Sequence, residues 1–282
     1  MSVGIVTDSS ASLEAALAAE LGIVVVPMQL TLGSRSYQED ELDMGDVVAR
    51  LHEGVHTAGP SPGAFGKAIA AAQQGDGVLV LTVSERLSST SKSASLAAQM
   101  AGGRVTVLDT GTAAGAQGLV VLAAAHLARD GVSLDAVEAR ARLVRGRVRL
   151  VATVDSLDQL VRGGRIPGLA GRAGRYLGVR PIFGLSDGRI RPLLPAISAA
   201  RATDAILGHW RRSAVPGADL HVAALHALDP AAAETLLAGV RAEVPPVEAF
   251  VGNFGPVMVA HTGPGVRGLA WWWEDGGGGR RG

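Results

Sequence analysis

Short uninterrupted apolar runs recur along the first half of the chain: Val3 to Val6, Val24 to Val26, Val78 to Val83 and Val105 to Leu108. Such runs, three to six residues long and bounded by turn residues, are the pattern of parallel strands covered on both faces. Between them lie stretches of helical period. Leu13 to Leu21 is expected to be a helix capped by Ser12 and ended by Gly22, Asp43 opens a second helix to Leu51 with Gly54 past its end, and Gly63 to Gln74 is a third. Leu30-Thr31-Leu32, Gly33 and Ser34 to Tyr37 read as a small hairpin. Strands and helices alternate in this way to about residue 145, which predicts a doubly wound sheet.

The second half has a different rhythm. Arg149 to Val154, Pro181 to Phe183 and Arg189 to Leu194 have strand character, with a turn at Asp187-Gly188. His221 to Leu225, Glu248 to Val251, Val257 to His261 and Leu269 to Trp273 read as further strands, and Ala200 to Arg212 and Ala231 to Val244 as helices. The predicted fold class is α/β with two domains: an N-terminal parallel doubly wound sheet over 1–146 and a C-terminal domain with a mixed sheet over 147–275. The Gly-rich stretch 276–282, with Arg280 and Arg281, is expected to be a disordered tail. Alternation buries one or two of Trp271, Trp272 and Trp273.

Composition narrows the classes of function. The 282 residues carry 26 basic and 26 acidic side chains, so no overall field draws the chain to nucleic acid or to an anionic membrane. Cysteine is absent, which removes disulfides, thiolate catalysis and Cys-based zinc sites. The longest apolar run, Leu119 to Ala128, is about half a bilayer span and includes His126, so it is expected to be a buried helix. No stable membrane insertion is predicted, no basic leader precedes the first strand, and the expected location is cytoplasmic. No His/Glu pattern has metal spacing, and no Walker or dinucleotide fingerprint is present; no metal and no cofactor are expected.

Candidate chemistry sits on three turns. In Thr57-Ala58-Gly59-Pro60-Ser61-Pro62, Ser61 and Pro62 are explained as the cap and first residue of a helix, Ser61 standing also among the ligand-binding candidates, whereas Thr57 lies before the bend with its hydroxyl free to face a cleft. After the strand Val78 to Val83 comes Ser84 to Ser91, where Ser88 is the expected cap of a helix from Ser89 to Ala101 and Ser89 and Thr90 add hydroxyls near an anion-friendly N-terminus. The third turn follows His261, in Thr262-Gly263-Pro264-Gly265; a histidine there can serve as charge switch, proton donor or base. Asp8 and Asp109 end strands at their carboxyl ends, and Gly163-Gly164-Arg165 reads as a helix C-cap. Arg267 reads either as a solvent-facing residue or as an added cation near a ligand.

In order, these turns resemble the DegV family of bacterial fatty-acid-binding proteins, which includes carrier subunits of fatty acid kinase. The matching segments are Val6 to Ser10, Thr57 to Pro62, Leu87 to Thr90, Asp109 to Gly118, Leu160 to Ile166, Arg180-Pro181-Ile182 with Asp187-Gly188, and Gly255 to Gly265. The resemblance implies a long-chain fatty acid in an apolar tunnel, its carboxyl group held by Thr57, Ser88 and a protonated His261, and a kinase subunit as partner. Against the family pattern, Ala58, Gly59, Ser89 and Ser91 are departures. The arginine of kinase-coupled relatives falls on Ile197 and their lysine on Pro195; Arg201, one turn on, is the nearest replacement for a phosphoryl-transfer or partner contact. Two rivals stand beside the carrier. Ser88 and His261, with Asp8 or Asp109, would make a serine-dependent acyl hydrolase or transferase, although Ser88 lacks a Gly-x-Ser-x-Gly elbow. A small-polyol binder would need a polar site.

Overall fold

A computed structural model of the protein describes residues 2–73, 75–166 and 179–275; the predicted tail, 276–282, lies outside them. The elements, in chain order, are β1 (Val3–Asp8), α1 (Ala15–Glu20), β2 (Ile23–Val26), β3 (Gln29–Leu32), β4 (Arg35–Gln38), α2 (Met44–Arg50), β5 (Val55–Ala58), α3 (Pro62–Ala72), β6 (Gly77–Thr82), α4 (Thr90–Met100), β7 (Val105–Asp109), α5 (Ala114–Arg129) and α6 (Leu134–Arg147). There follow β8 (Arg149–Thr153), α7 (Asp158–Arg162), β9 (Ile182–Ser186), β10 (Arg189–Pro192), α8 (Ala199–Arg211), β11 (Asp219–His226), α9 (Pro230–Arg241), β12 (Glu248–Asn253), α10 (Pro256–Thr262) and β13 (Arg267–Glu274).

The four apolar runs pair in parallel in the order β2-β1-β6-β7. Alternate side chains divide between two cores: Val6, Val78 and Val80 meet Phe65, Ile69 and Ala94 of α3 and α4, while Ile5, Leu79 and Leu81 meet α5. Both faces are therefore covered, which is why the runs show no polar alternation. From β1 the chain first steps outward to β2 and later returns to place β6 on β1's other side. The carboxyl ends of β1 and β6 thus flank a topological switch point, where open α/β sheets hold ligands.

A second sheet has the order β10-β9-β8-β13-β11-β12 and is mixed, with β11 and β12 parallel and the other neighbours antiparallel. Helices α5 and α6 lie between the two sheets, and α8 and α9 cover the far face of the second. This layering explains a difference from the expectation for the tryptophans: Trp271 and Trp273 pack toward α8 and α9, Trp272 packs toward α5 and α6, and all three are buried. His221 stacks on Trp272 at 4.2 Å, with the Arg140 guanidinium 4.9 Å from the same ring. Asp187 and Gly188, with φ of 49° and 66°, make the hairpin turn between β9 and β10 that an Asp-Gly pair favours. A third, small antiparallel sheet, β4-β3-β5, contains the predicted hairpin and packs against α2 and α10.

Four sequence expectations need correction. Val257 to His261 is not a strand but most of α10: Pro256 at its first position and Gly263 past its end, accepting no strand partner but donating to the Val259 carbonyl at 2.8 Å, override the β-branched content. Ser12, with a left-handed φ of 53°, closes a 3-10 turn by donating its N–H to the Ser9 carbonyl at 3.3 Å and does not cap α1, which begins at Ala15. The cap position of α4 is Ser89 rather than Ser88, and Ser89 makes no side-chain cap bond. Arg267 is neither solvent-facing nor at the ligand turns; its side chain is 13% exposed and pairs with Asp229 at 3.6 Å.

Candidate functional site

The loops after β1 and β6 are tied together by Asp8. Its carboxylate accepts from the Ser10 N–H at 3.1 Å and from the Val83 N–H at 2.8 Å. Burial raises its pKa above the usual carboxylate range, against the pull of those bonds. Asp109 accepts from the Gly111 N–H at 2.8 Å and holds its own turn. Neither carboxylate orients a histidine, so the triad expected of an acyl hydrolase is not assembled.

Over this switch point lies a cavity of about 300 Å³, at the lower end of the range for small-molecule sites. Its long wall is apolar: Leu150, Leu160, Phe183, Leu185, Ile190 and Phe254 all line it. Residues before and after position 146 both contribute, among them Met28, Val83 and Leu87 on one side and Val257, Met258 and Val266 on the other. Its polar lining comprises Ser10, Thr57, Ser88, Ser89, Arg165, His261 and Thr262.

Each polar group is delivered by a local device. Thr57 is on β5, whose pairing with β3 sets Thr57 opposite Leu30. Helix α10 packs on the same small sheet and brings His261 against it, so that Thr57 Oγ1 and His261 Nε2 are 2.8 Å apart. Ser88 follows β6; its hydroxyl is 2.8 Å from that of Thr90 and accepts weakly from the Thr90 N–H at 3.4 Å. Gly59 permits this approach of β5 to the loop, since a Cβ there would fall 2.5 Å from Thr90 Oγ1. Gly163, at the end of α7, lies behind the imidazole: a Cβ on it would be 2.8 Å from His261 Nδ1.

Gly163 has φ of −70°, which alanine adopts freely. Gly163→Ala is therefore expected to act mainly through His261, displacing the ring from Thr57, with a lesser contact at 3.2 Å to the Gln159 carbonyl, and to cost about 1–3 kcal/mol of stability. His261 ring resonances that stay in place, with an unchanged melting temperature, would refute this.

The charge on the site differs from expectation. Burial, and secondarily the neighbouring Arg165, pushes the His261 pKa down to about 4, so the imidazole is neutral at neutral pH. Among the described residues, the cation at this end of the cavity is Arg165, whose guanidinium also donates to the Gly163 carbonyl. Gly163 and Gly164 do close α7 as predicted, but the arginine after them lines the cavity instead of only serving the helix end. Sequence reasoning also passed over Ser10, a buried cavity-lining residue whose hydroxyl has no partner among the described residues. The segments Leu160 to Ile166 and Val6 to Ser10 carried both signals.

The remaining candidates lie elsewhere. Ser61 caps α3, accepting from the Ala64 N–H at 3.2 Å, and does not line the cavity. Thr90 is fully buried behind Ser88. Arg201 is in the first turn of α8, a helix that packs on the face of the second sheet opposite the cavity, and Ile197 is exposed. Neither occupies the cavity wall.

The profile of the DegV family, described as uncharacterised proteins of that family, matches residues 2–274. A DegV domain-containing protein of Streptomyces coelicolor is 35% identical over 273 residues, covering 95% of this chain and 97% of its own. Among solved structures, a Thermus thermophilus DegV family protein described as fatty acid binding superposes with a TM-score of 0.89 at 34% identity, covering 97% of this chain and all of its own. DegV of Bacillus subtilis, described as a fatty acid binding protein, superposes at 0.85 with 26% identity, covering 97% and 100%.

Proposed function

The chain belongs to the DegV family, and from that premise we propose that it binds a long-chain fatty acid and presents the carboxyl group to a partner kinase for acyl-phosphate formation. In this reading Thr57, Ser88 and His261 hold the carboxyl group, Arg165 supplies the opposing charge, and the acyl chain follows the apolar wall. The observation that carries it is the Thr57–His261 pair at the polar end of an otherwise apolar cavity.

The energetics support this division of labour. Burial contributes about 0.8 kcal/mol per methylene, on the order of 10 kcal/mol for a long acyl group before ordering costs. A buried carboxylate without donors would cost several kcal/mol. Two hydroxyls and a guanidinium offset that cost, and a neutral imidazole can donate as well. The two solved relatives described as fatty acid binding support the ligand class. The kinase partner rests on the family resemblance. No described helix is long and apolar enough to cross a membrane, which is compatible with the cytoplasmic location we propose.

The test is native purification, solvent extraction and mass spectrometry of the extract. A fatty acid near one equivalent is the expected result. A protein that yields none and takes up none when supplied would overturn the reading.

A further inference from the structure

Three acidic residues follow β4 in sequence. Asp40 and Glu41 are exposed, whereas Glu39 is buried, with 8% of its surface exposed. A buried carboxylate is costly unless its oxygens are engaged, and among the described residues no basic side chain pairs with this one. Burial raises its pKa above the usual carboxylate range, against the bonds from Ser9 and Val257 and with a smaller push from Asp8 and Asp40. The Glu39 N–H donates to the Met28 carbonyl at 2.9 Å, which fixes the residue against the chain entering β3. From there the side chain reaches the start of α10, where Oε2 accepts from the Val257 N–H at 3.2 Å.

Helix α10 has no cap of its own. Gly255, at the cap position, has no side chain, and Pro256 has no N–H to satisfy. A Cβ on Gly255 would fall 2.8 Å from Glu39 Oε1, so the bare glycine leaves room for the distant carboxylate to seat there. Seven residues are too few to hold a helix unaided. The seat of α10 rests on the packing of Val257 and Ala260 against Leu30 and Val47, on the His261–Thr57 pair and on the Glu39–Val257 bond. His261 follows Val257 by one helical turn, on the same face. Glu39 does not line the cavity, although Met28 and Val257 do.

We infer that Glu39 is a positioning residue of the carboxyl site: as the cap of α10, supplied from the turn after β4, it sets the height and rotation at which His261 meets Thr57. The negative end of a side chain at a helix N-terminus also suits the helix dipole. Of the two carboxylates near the switch point, Asp8 thus ties the loops after β1 and β6, and Glu39 ties the small sheet to α10.

The experiment compares the full chain with Glu39→Met, which fills the buried site without an acceptor, and with Glu39→Gln, whose amide oxygen still accepts from the Val257 N–H. The His261 ring is followed by NMR, its signals assigned by their loss in His261→Ala, and Thr57→Val serves as the reference for a broken Thr57–His261 pair. In Glu39→Met the His261 signals are expected to move toward those of Thr57→Val, and Glu39→Gln is expected to return them. Fatty acid affinity, which rests on the function proposed above, falls about ten-fold in Glu39→Met but less than about two-fold when His261 is already alanine, because the two residues act as one unit. His261 signals unmoved by Glu39→Met overturn the inference, as do equal losses of affinity with and without His261. A glutamine that restores neither readout overturns the Val257 bond as the link. A chain that binds no fatty acid while its His261 signals shift in this way refutes the fatty acid reading and leaves the positioning role standing.

Discussion

Replacing Ser88 and His261 together by alanine weakens long-chain fatty acid binding by roughly 100-fold or more, while binding of a long-chain alcohol of equal length changes far less. The estimate follows from two hydrogen bonds to a charged group at about 1.5–3 kcal/mol each. The alcohol carries the same chain, so the apolar wall of Leu150, Phe183 and Phe254 serves it equally, and the contrast isolates the head group. His261→Gln with Ser88→Ala is the companion variant, since glutamine keeps more of the volume packed against Gly163. Equal loss for acid and alcohol would indicate a collapsed cavity, and unchanged affinity for the acid would place the carboxyl group elsewhere.

Arg165→Gln has two expected effects with one cause. Fatty acid affinity falls by roughly 10-fold to 100-fold, the range for one charge-assisted bond, and the His261 pKa rises from about 4 because one of the two influences holding it down is removed. Burial remains, so the value stays below that of a free imidazole. A ring titration by NMR measures this directly. The stability consequence has a definite sign: between the ordinary value of 6.5 and about 4 the unfolded ring binds a proton that the folded ring refuses. Stability contributed by the neutral ring is therefore lost as pH falls through that window, and Arg165→Gln narrows it. An unmoved His261 titration would mean that Arg165 does not approach the ring in solution.

The legible and the hidden parts of this molecule separate along physical lines. Val78 to Val83 could be read as a covered strand because both faces need apolar side chains, and Asp43 and Ser61 could be read as caps because their partners are local. α10 was hidden for the opposite reason. Val257, Met258 and Val259 have strand propensity, and the small sheet and α7 on which the helix packs lie far away in sequence. Thr57, Ser88 and His261 were found through the order of their motifs, and the structure brings all three to one cavity. Arg165 was discounted because a basic residue after Gly-Gly is sufficiently explained by a helix end; only the packing of α7 against α10 shows that it also faces the cavity. The state of His261 was equally out of reach, because it depends on burial and on a guanidinium distant in sequence. Arg201 was reached by counting along the chain, as a phosphoryl-transfer or partner contact, and the sheet between α8 and the cavity keeps it off the cavity wall.

The placement of the four tryptophans has an optical consequence. Trp210 lies on α8, Trp271 and Trp273 point to the same far layer, and Trp272 is stacked between an imidazole and a guanidinium; none of them touches the cavity. The intrinsic emission of this protein is that of its second sheet, a sensitive gauge of whether that layer is intact and a nearly blind one for what the cavity holds.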